Sequence, residues 1–182
     1  VSQVIEDDEL VQYQQGFPFV AGIYTNYEQF KDNQPEIQAA FERRGSELWL
    51  YDDSLAEYIL VNPNLVWGYS QAGNVYISQE ETYWRIINVG ALSHYTAIAI
   101  TTFQTVDNFG FPITRQSKSM RQLFFDFNTG KTYLLNQENL QAFIDQDPLL
   151  AERYKKLRKR EKQLIMALKA YNELHPIYFP LY

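Results

Sequence analysis

A histidine that titrates near neutrality is the natural general base of a hydrolase, and this 182-residue chain has two, His94 and His175. His94 lies just before Tyr95 in a β-branched stretch, with no serine nucleophile motif and no paired carboxylate beside it. A structural histidine is the expected reading there; a hydrolytic site around His94 and Arg85 is an alternative. His175 falls where a helix should end, so its imidazolium would meet the negative end of the helix dipole. The two histidines make no metal-ligand spacing. The chain has no cysteine, which removes zinc–thiolate, iron–sulfur, disulfide and thiol-nucleophile chemistry. Asp52-Asp53, Glu80-Glu81 and Asp107-Asn108 lack the alternating oxygen ligands, glycine and distal glutamate of a calcium loop. No phosphate-binding loop, dinucleotide fingerprint or nucleophile elbow is present. No metal or cofactor is expected.

Aromatic residues offer a different chemistry. Trp67, Tyr69, Tyr76, Tyr83 and Trp84 cluster on strand-like segments. Exposed on a sheet face, such rings would stack on sugars; buried, they would form a core and its wet edge. In Tyr83-Trp84-Arg85-Ile86-Ile87, period two puts Trp84 and Ile86 on one face and Tyr83, Arg85 and Ile87 on the other. Trp84 is then the core candidate and Arg85 the site candidate. Trp67, Tyr69, Arg85 and His94 make up the candidate ligand-binding set. The basic run Lys155–Lys162 tempts a phosphate-binding reading. Residues 149–175 hold eight basic and three acidic residues, a net +5; the chain total is −6, so the remainder carries −11. A nucleic-acid domain shows a basic footprint across its surface, whereas here a basic helix face balances an acidic body. No nucleic-acid partner is expected.

These side chains must be held by short strands and a few helices. Thr25-Asn26-Tyr27-Glu28 fits a capping box with Thr25 as cap, opening a short helix that turns Tyr27 and Phe30 inward and stops near Asn33, ahead of Pro35. Glu47–Tyr51 and Tyr58–Val61 read as strands around an Asp52-Asp53 turn. Leu65–Ser78 reads as a hairpin turning through Gln71-Ala72-Gly73-Asn74, where Gly73-Asn74 tolerate positive φ, with Gly68 marking a bulge or a close backbone approach. Tyr83–Ile87, Leu92–Thr102, Met120–Phe127 and Lys131–Leu135 follow as strands, Asp107–Pro112 being a loop. Leu123, Phe125 and Phe127 share a face. Asn136 caps a helix to about Asp145. Asp147-Pro148 starts a long amphipathic helix whose stripe is Leu150, Tyr154, Leu157, Leu164, Leu168 and Tyr171, ending before Pro176. The apolar tail Pro176–Tyr182 should pack on the body. The expected fold is α+β: a bent or partly closed antiparallel sheet with a short N-terminal helix and a long C-terminal helix packed on it.

Length and composition suit one globular domain: 46% apolar, 21% charged and 16% aromatic residues are enough to bury a core. No stretch reaches the roughly 20 apolar residues that span a bilayer. The chain opens on Val1 rather than Met, which fits trimming or a removed targeting segment. The acidic Ile5–Glu9 would suit a solvated leader, and residues 1–15 are expected to be poorly ordered. Gly22-Ile23-Tyr24-Thr25-Asn26-Tyr27-Glu28-Gln29-Phe30-Lys31, then Val66-Trp67-Gly68-Tyr69 with Asn74-Val75-Tyr76-Ile77, then Tyr171-Asn172 and His175-Pro176 follow one another in an order that resembles a family of uncharacterised exported proteins of Bacteroidetes. The resemblance spans most of the chain and implies an extracytoplasmic location, in the periplasm, on the outer surface or secreted. It implies no reaction and assigns no catalytic residue. The expected function is a non-enzymatic envelope-associated or secreted module that binds a protein or surface partner. The alternatives are a glycan-binding module using Trp67 and Tyr69, and the hydrolase near His94.

Overall fold

In a computed structural model, residues 9–182 are described. Strands β1 (Leu10–Gln12) and β2 (Gly22–Tyr24) lead to helix α1 (Tyr27–Lys31). Then come β3 (Phe41–Arg44), β4 (Glu47–Asp52), β5 (Glu57–Leu60), β6 (Gly68–Gln71), β7 (Asn74–Gln79), β8 (Thr82–Asn88), β9 (Leu92–Val106), β10 (Pro112–Asp126) and β11 (Thr132–Leu134). Helices α2 (Gln137–Ile144), α3 (Pro148–Arg153) and α4 (Glu161–Leu174) and strand β12 (Tyr178–Pro180) complete the order. The fold is α+β, dominated by antiparallel sheet. Seven strands run β11-β10-β9-β8-β7-β6-β2, three form β3-β4-β5, and β1 pairs with β12. The stretch 1–15 therefore divides: Leu10–Gln12 pair with Tyr178–Pro180, and residues 1–8 lie outside the described residues.

Turn and cap chemistry explains most of these boundaries. Asn26, one residue later than expected, caps α1: its Oδ1 accepts from the Gln29 amide, while Gln29 Oε1 accepts from the Thr25 amide. The hydroxyl of Thr25 instead donates to Glu36. The β6–β7 turn spans Gln71–Asn74 as expected, with the positive φ values at Ala72 and Gly73 and not at Gly73 and Asn74. Gly68 is required by close approach, since a Cβ there would lie 2.1 Å from the Tyr76 carbonyl oxygen.

The expected long helix from Pro148 is broken. Asp147 caps α3 as anticipated, accepting from the amides of Leu149 and Leu150, but the helix stops at Arg153 and resumes as the 14-residue α4. Lys155, Lys156, Arg158, Lys159 and Arg160 would repel one another at i,i+3 and i,i+4 on a continuous helix. The side chain of Gln141 supplies what the break needs: Oε1 accepts from the Leu157 amide and Nε2 donates to the Tyr154 carbonyl. Most of the basic run is thus a loop whose one apolar residue, Leu157, is buried. His175 does stand at the end of α4; it stacks on Tyr171 at 4.1 Å and bonds Asp147 at 2.9 Å.

Three cores form. In the first, Phe30 is fully buried, stacks on Trp67 at 4.7 Å and meets Tyr24, Phe125, Phe127 and Phe179 edge-on. The second packs α2, α3 and α4 against Leu92, Phe124 and Leu135. The third gathers Ile23, Leu48, Tyr69 and Tyr83, with Phe41 and Leu50 of the three-stranded sheet against them. The inner halves of β9 and β10 are buried on both faces. Tyr95, Ala97, Leu123 and Phe125 point into the first core, and Leu92 and Phe124 into the second. The tail packs as expected, with Phe179 fully buried.

Candidate functional site

His94 stands on β9 with 3% of its surface exposed. Nδ1 accepts from Asn88 Nδ2 at 3.2 Å, and Nε2–H donates to Gln122 Oε1 at 2.5 Å. This pattern assigns a neutral ring protonated on Nε2. Gln122 Oε1 also accepts from the Thr96 hydroxyl, and Gln122 Nε2 donates to Glu161 Oε1 at 3.2 Å. Burial holds the imidazole below its ordinary 6.5, with Gln122 and Glu161 pulling partly the other way. Both ring nitrogens are engaged. The neighbouring Ser93 hydroxyl is committed as well, donating to the Gly90 carbonyl and accepting from the Gly90 amide. This arrangement joins β8, β9, β10 and α4; it offers neither a free lone pair for proton abstraction nor an activated hydroxyl.

The aromatic candidates are core residues. Tyr69 is wholly buried, stacked on Tyr76 with centroids 4.6 Å apart and edge-on to Tyr83. Burial raises its phenol, and pushes that of Tyr83 to about 12. Trp67 is half-buried, stacked on the Phe30 ring and in contact with those of Tyr27 and Phe125. Tyr69 therefore presents no ring to a sugar, and Trp67 spends one face on Phe30. Trp84 packs against the first core as expected, its indole N–H donating to the Gln79 carbonyl. Tyr83 is buried too, because the three-stranded sheet covers its side of β8.

Arg85 is exposed, at a cavity of about 780 Å³ lined also by Tyr13, Gln15, Asn88, Lys169 and Glu173. Asn88 of that lining donates to His94. The four candidate residues are thus not brought together: Trp67 belongs to the first core, Tyr69 to the third, His94 to a buried clamp and Arg85 to a surface cavity. A second groove, of about 820 Å³, runs along α2 past Asn136, Gln141, Asp145 and Lys159. Among the described residues, no three or more histidines or carboxylates are grouped as metal ligands, and no helix is long and apolar enough to cross a membrane.

The outstanding surface feature is the outer half of the β9–β10 hairpin. The two strands stay paired from Leu92–Asp126 out to Val106–Pro112. Toward the outer half, the Ile98 carbonyl accepts from Gln79 Nε2 and Lys118 Nζ lies 3.6 Å from Glu80. Beyond these, residues 100–106 and 112–119 are exposed or half-exposed on both faces. At about 3.4 Å per residue, this ribbon extends roughly 20 Å from the body. Its tip is ordered. Asp107 Oδ1 accepts from the amides of Phe109 and Phe111, and the Asp107 amide donates to the Phe111 carbonyl. That turn displays Phe109 at 85% exposure and Phe111 at 66%, with Val106 and Phe103 on the ribbon behind them.

Only part of the ribbon was legible in the sequence. Thr114 to Ser119 are polar, and with neither face buried they show no period-two alternation. The available signals were the β-branched content of 100–106 and the Asp107–Gly110 turn. No protein-family model, curated protein or solved structure matches the chain.

Proposed function

We propose that this chain is a non-enzymatic binding module, exported to the cell envelope or secreted, that holds a protein partner with the outer half of the β9–β10 ribbon. The observation carrying this reading is the display of Phe103, Val106, Phe109 and Phe111 on a ribbon with no covered face. A two-stranded ribbon in water is marginal by itself, and clustered exposed apolar groups mark interaction sites more often than solvent-facing surface. The side-chain caps at Asp107 fix the backbone of the tip turn, which lowers the cost of ordering it on binding. The extracytoplasmic location rests on the motif resemblance, and fractionation of source cells tests it.

The binding reading is tested by a photo-reactive phenylalanine analogue placed in source cells at Phe109, at Phe111 and, as an exposed control, at Leu65. Discrete protein adducts are expected from the two tip positions and not from Leu65. Equal adduct patterns from all three sites would remove the ribbon as the binding surface.

A further inference from the structure

We infer that the occupant of the ribbon is a second copy of this chain, paired along the free edge of β9 in an antiparallel, two-fold arrangement centred on Phe103. The inference rests on the ribbon being the binding surface and names its partner.

The two edges of the ribbon are not alike. The outer half of β10 carries Pro112, Arg115, Lys118 and, at its base, Arg121. Proline and cations are the usual protection of a strand edge against unwanted pairing. The facing strand, Ala97–Val106, has no charged residue, no proline and no glycine, and is rich in β-branched side chains. One edge is guarded and the other open. With one open edge on the ribbon, pairing there closes at two copies instead of propagating along it as a fibre.

Direction and register follow from the ladder. Residues of an antiparallel strand point their N–H and C=O groups alternately to one neighbour and then to the other. The Ile98 carbonyl faces outward, to Gln79, and the Asp107 amide faces inward, to Phe111. Ile100, Thr102, Gln104 and Val106 therefore present their backbone groups at the open edge. A two-fold pairing must set these outward residues opposite one another. Centring it on Phe103 opposes Thr102 with Gln104 and Ile100 with Val106, and brings the two Phe103 rings together as a close, non-hydrogen-bonded pair. Polar then meets polar and apolar meets apolar: Thr102 with Gln104, Ile100 with Val106, and Phe103 with its own copy. No like charges are opposed, because that strand has none. The bodies fall at opposite ends of a four-stranded sheet, so the arms can lie side by side.

The test uses the full chain, whose mass is 21.5 kDa. Light scattering at tens of micromolar is expected to give twice that mass. Thr102→Pro removes an outward N–H from the open edge and should return the protein to a monomer. Gln116→Pro makes the same change at the cross-strand partner position, on the guarded edge, and should leave the dimer intact. Because the chain lacks cysteine, Phe103→Cys gives a lone thiol at the two-fold axis. It should oxidise to a covalent dimer about tenfold or more faster than Ile113→Cys, since pairing raises its effective concentration. A monomer at these concentrations overturns the inference, as does a dimer insensitive to Thr102→Pro, or equal oxidation at the two cysteines. If the purified protein is monomeric while Phe109 still yields adducts with another protein, the second-copy inference fails and the ribbon reading stands; loss of the adducts fails the reading itself.

Discussion

The same two strands behave oppositely at their two ends. In the inner half of the β9–β10 hairpin both faces are covered, by the aromatic core on one side and by the helices on the other. In the outer half both faces are bare. Backbone pairing is continuous throughout, so the ladder itself does not distinguish them. What differs is the side chains. Tyr95, Ala97, Leu123 and Phe125 give way to Thr101, Phe103, Arg115 and Ser117 on one face, and Phe124 gives way to Met120 and Lys118 on the other. Stability should therefore concentrate in the inner half, with the outer half contributing little to folding and remaining available for binding.

The sharpest way to break this comparison is to remove one ring from each half. Phe125 is 1% exposed and meets Tyr27, Phe30 and Trp67 edge-on. Phe125→Ala is expected to cost about 3–5 kcal/mol, the sum of lost burial and a cavity that its neighbours cannot fill. Phe103→Ala, in the outer half, should change the unfolding free energy of the monomer by less than about 0.5 kcal/mol. Urea titrations at a concentration where the protein is monomeric measure both. Comparable losses would show that the outer ribbon is packed in solution.

A smaller effect is expected on the polar side of the inner half. Gln122 accepts from both His94 and Thr96, so Gln122→Leu leaves two donors without their acceptor at a cost of about 1–3 kcal/mol. His94 adds a pH dependence whose sign follows from its lowered pKa. Below the ordinary value of 6.5 the unfolded chain takes up a proton that the folded chain refuses. Stability should fall as pH drops from 7 toward the folded pKa, by at most about 1.4 kcal/mol per pH unit from this group. Unfolding curves between pH 7.5 and 5, with the ring followed by NMR, test it. A His94 titrating at or above 6.5 would contradict the clamp, in which both nitrogens are already bonded.

The inner half was also the part that could be foreseen. Leu123, Phe125 and Phe127 announce a buried face by their spacing, and all three are buried. Tyr27 and Phe30 turn inward as their capped helix requires, although the cap is Asn26 and not Thr25. Where foresight failed, a non-local partner decided. The apolar stripe from Leu150 to Tyr171 looks continuous, yet Gln141 and the repulsion among five cations interrupt it. Trp67 and Tyr69 look alike as sheet-face aromatics, and only tertiary packing reveals that Phe30 and Tyr76 occupy their faces. Of the candidate site, Arg85 could be foreseen as outward-facing because period two survives along β8. The ribbon could not be foreseen as a surface, since hydrophobic patterning reports burial and its outer half has none.

A small effect should also come from the largest change. Ala99 and Ser119 face each other across the ladder, near the point where the covered half ends. They share the inward-bonded parity of Asp107 and Phe111, so they form the kind of pair that a two-residue turn closes. Deleting residues 100–118 and joining Ala99 to Ser119 through Asn-Gly removes the ribbon while leaving the core rings of the inner half in place. The deleted residues cost backbone entropy to order and bury little apolar surface in return. The two terms oppose each other, so the unfolding free energy of the monomer should move by less than about 1 kcal/mol. The urea dependence should barely change either, because it follows the surface newly exposed on unfolding, and the ribbon is exposed already. A loss of several kcal/mol would place part of the folding core in the outer half. An unchanged body that stays monomeric at tens of micromolar would assign folding to one half of the hairpin and self-association to the other.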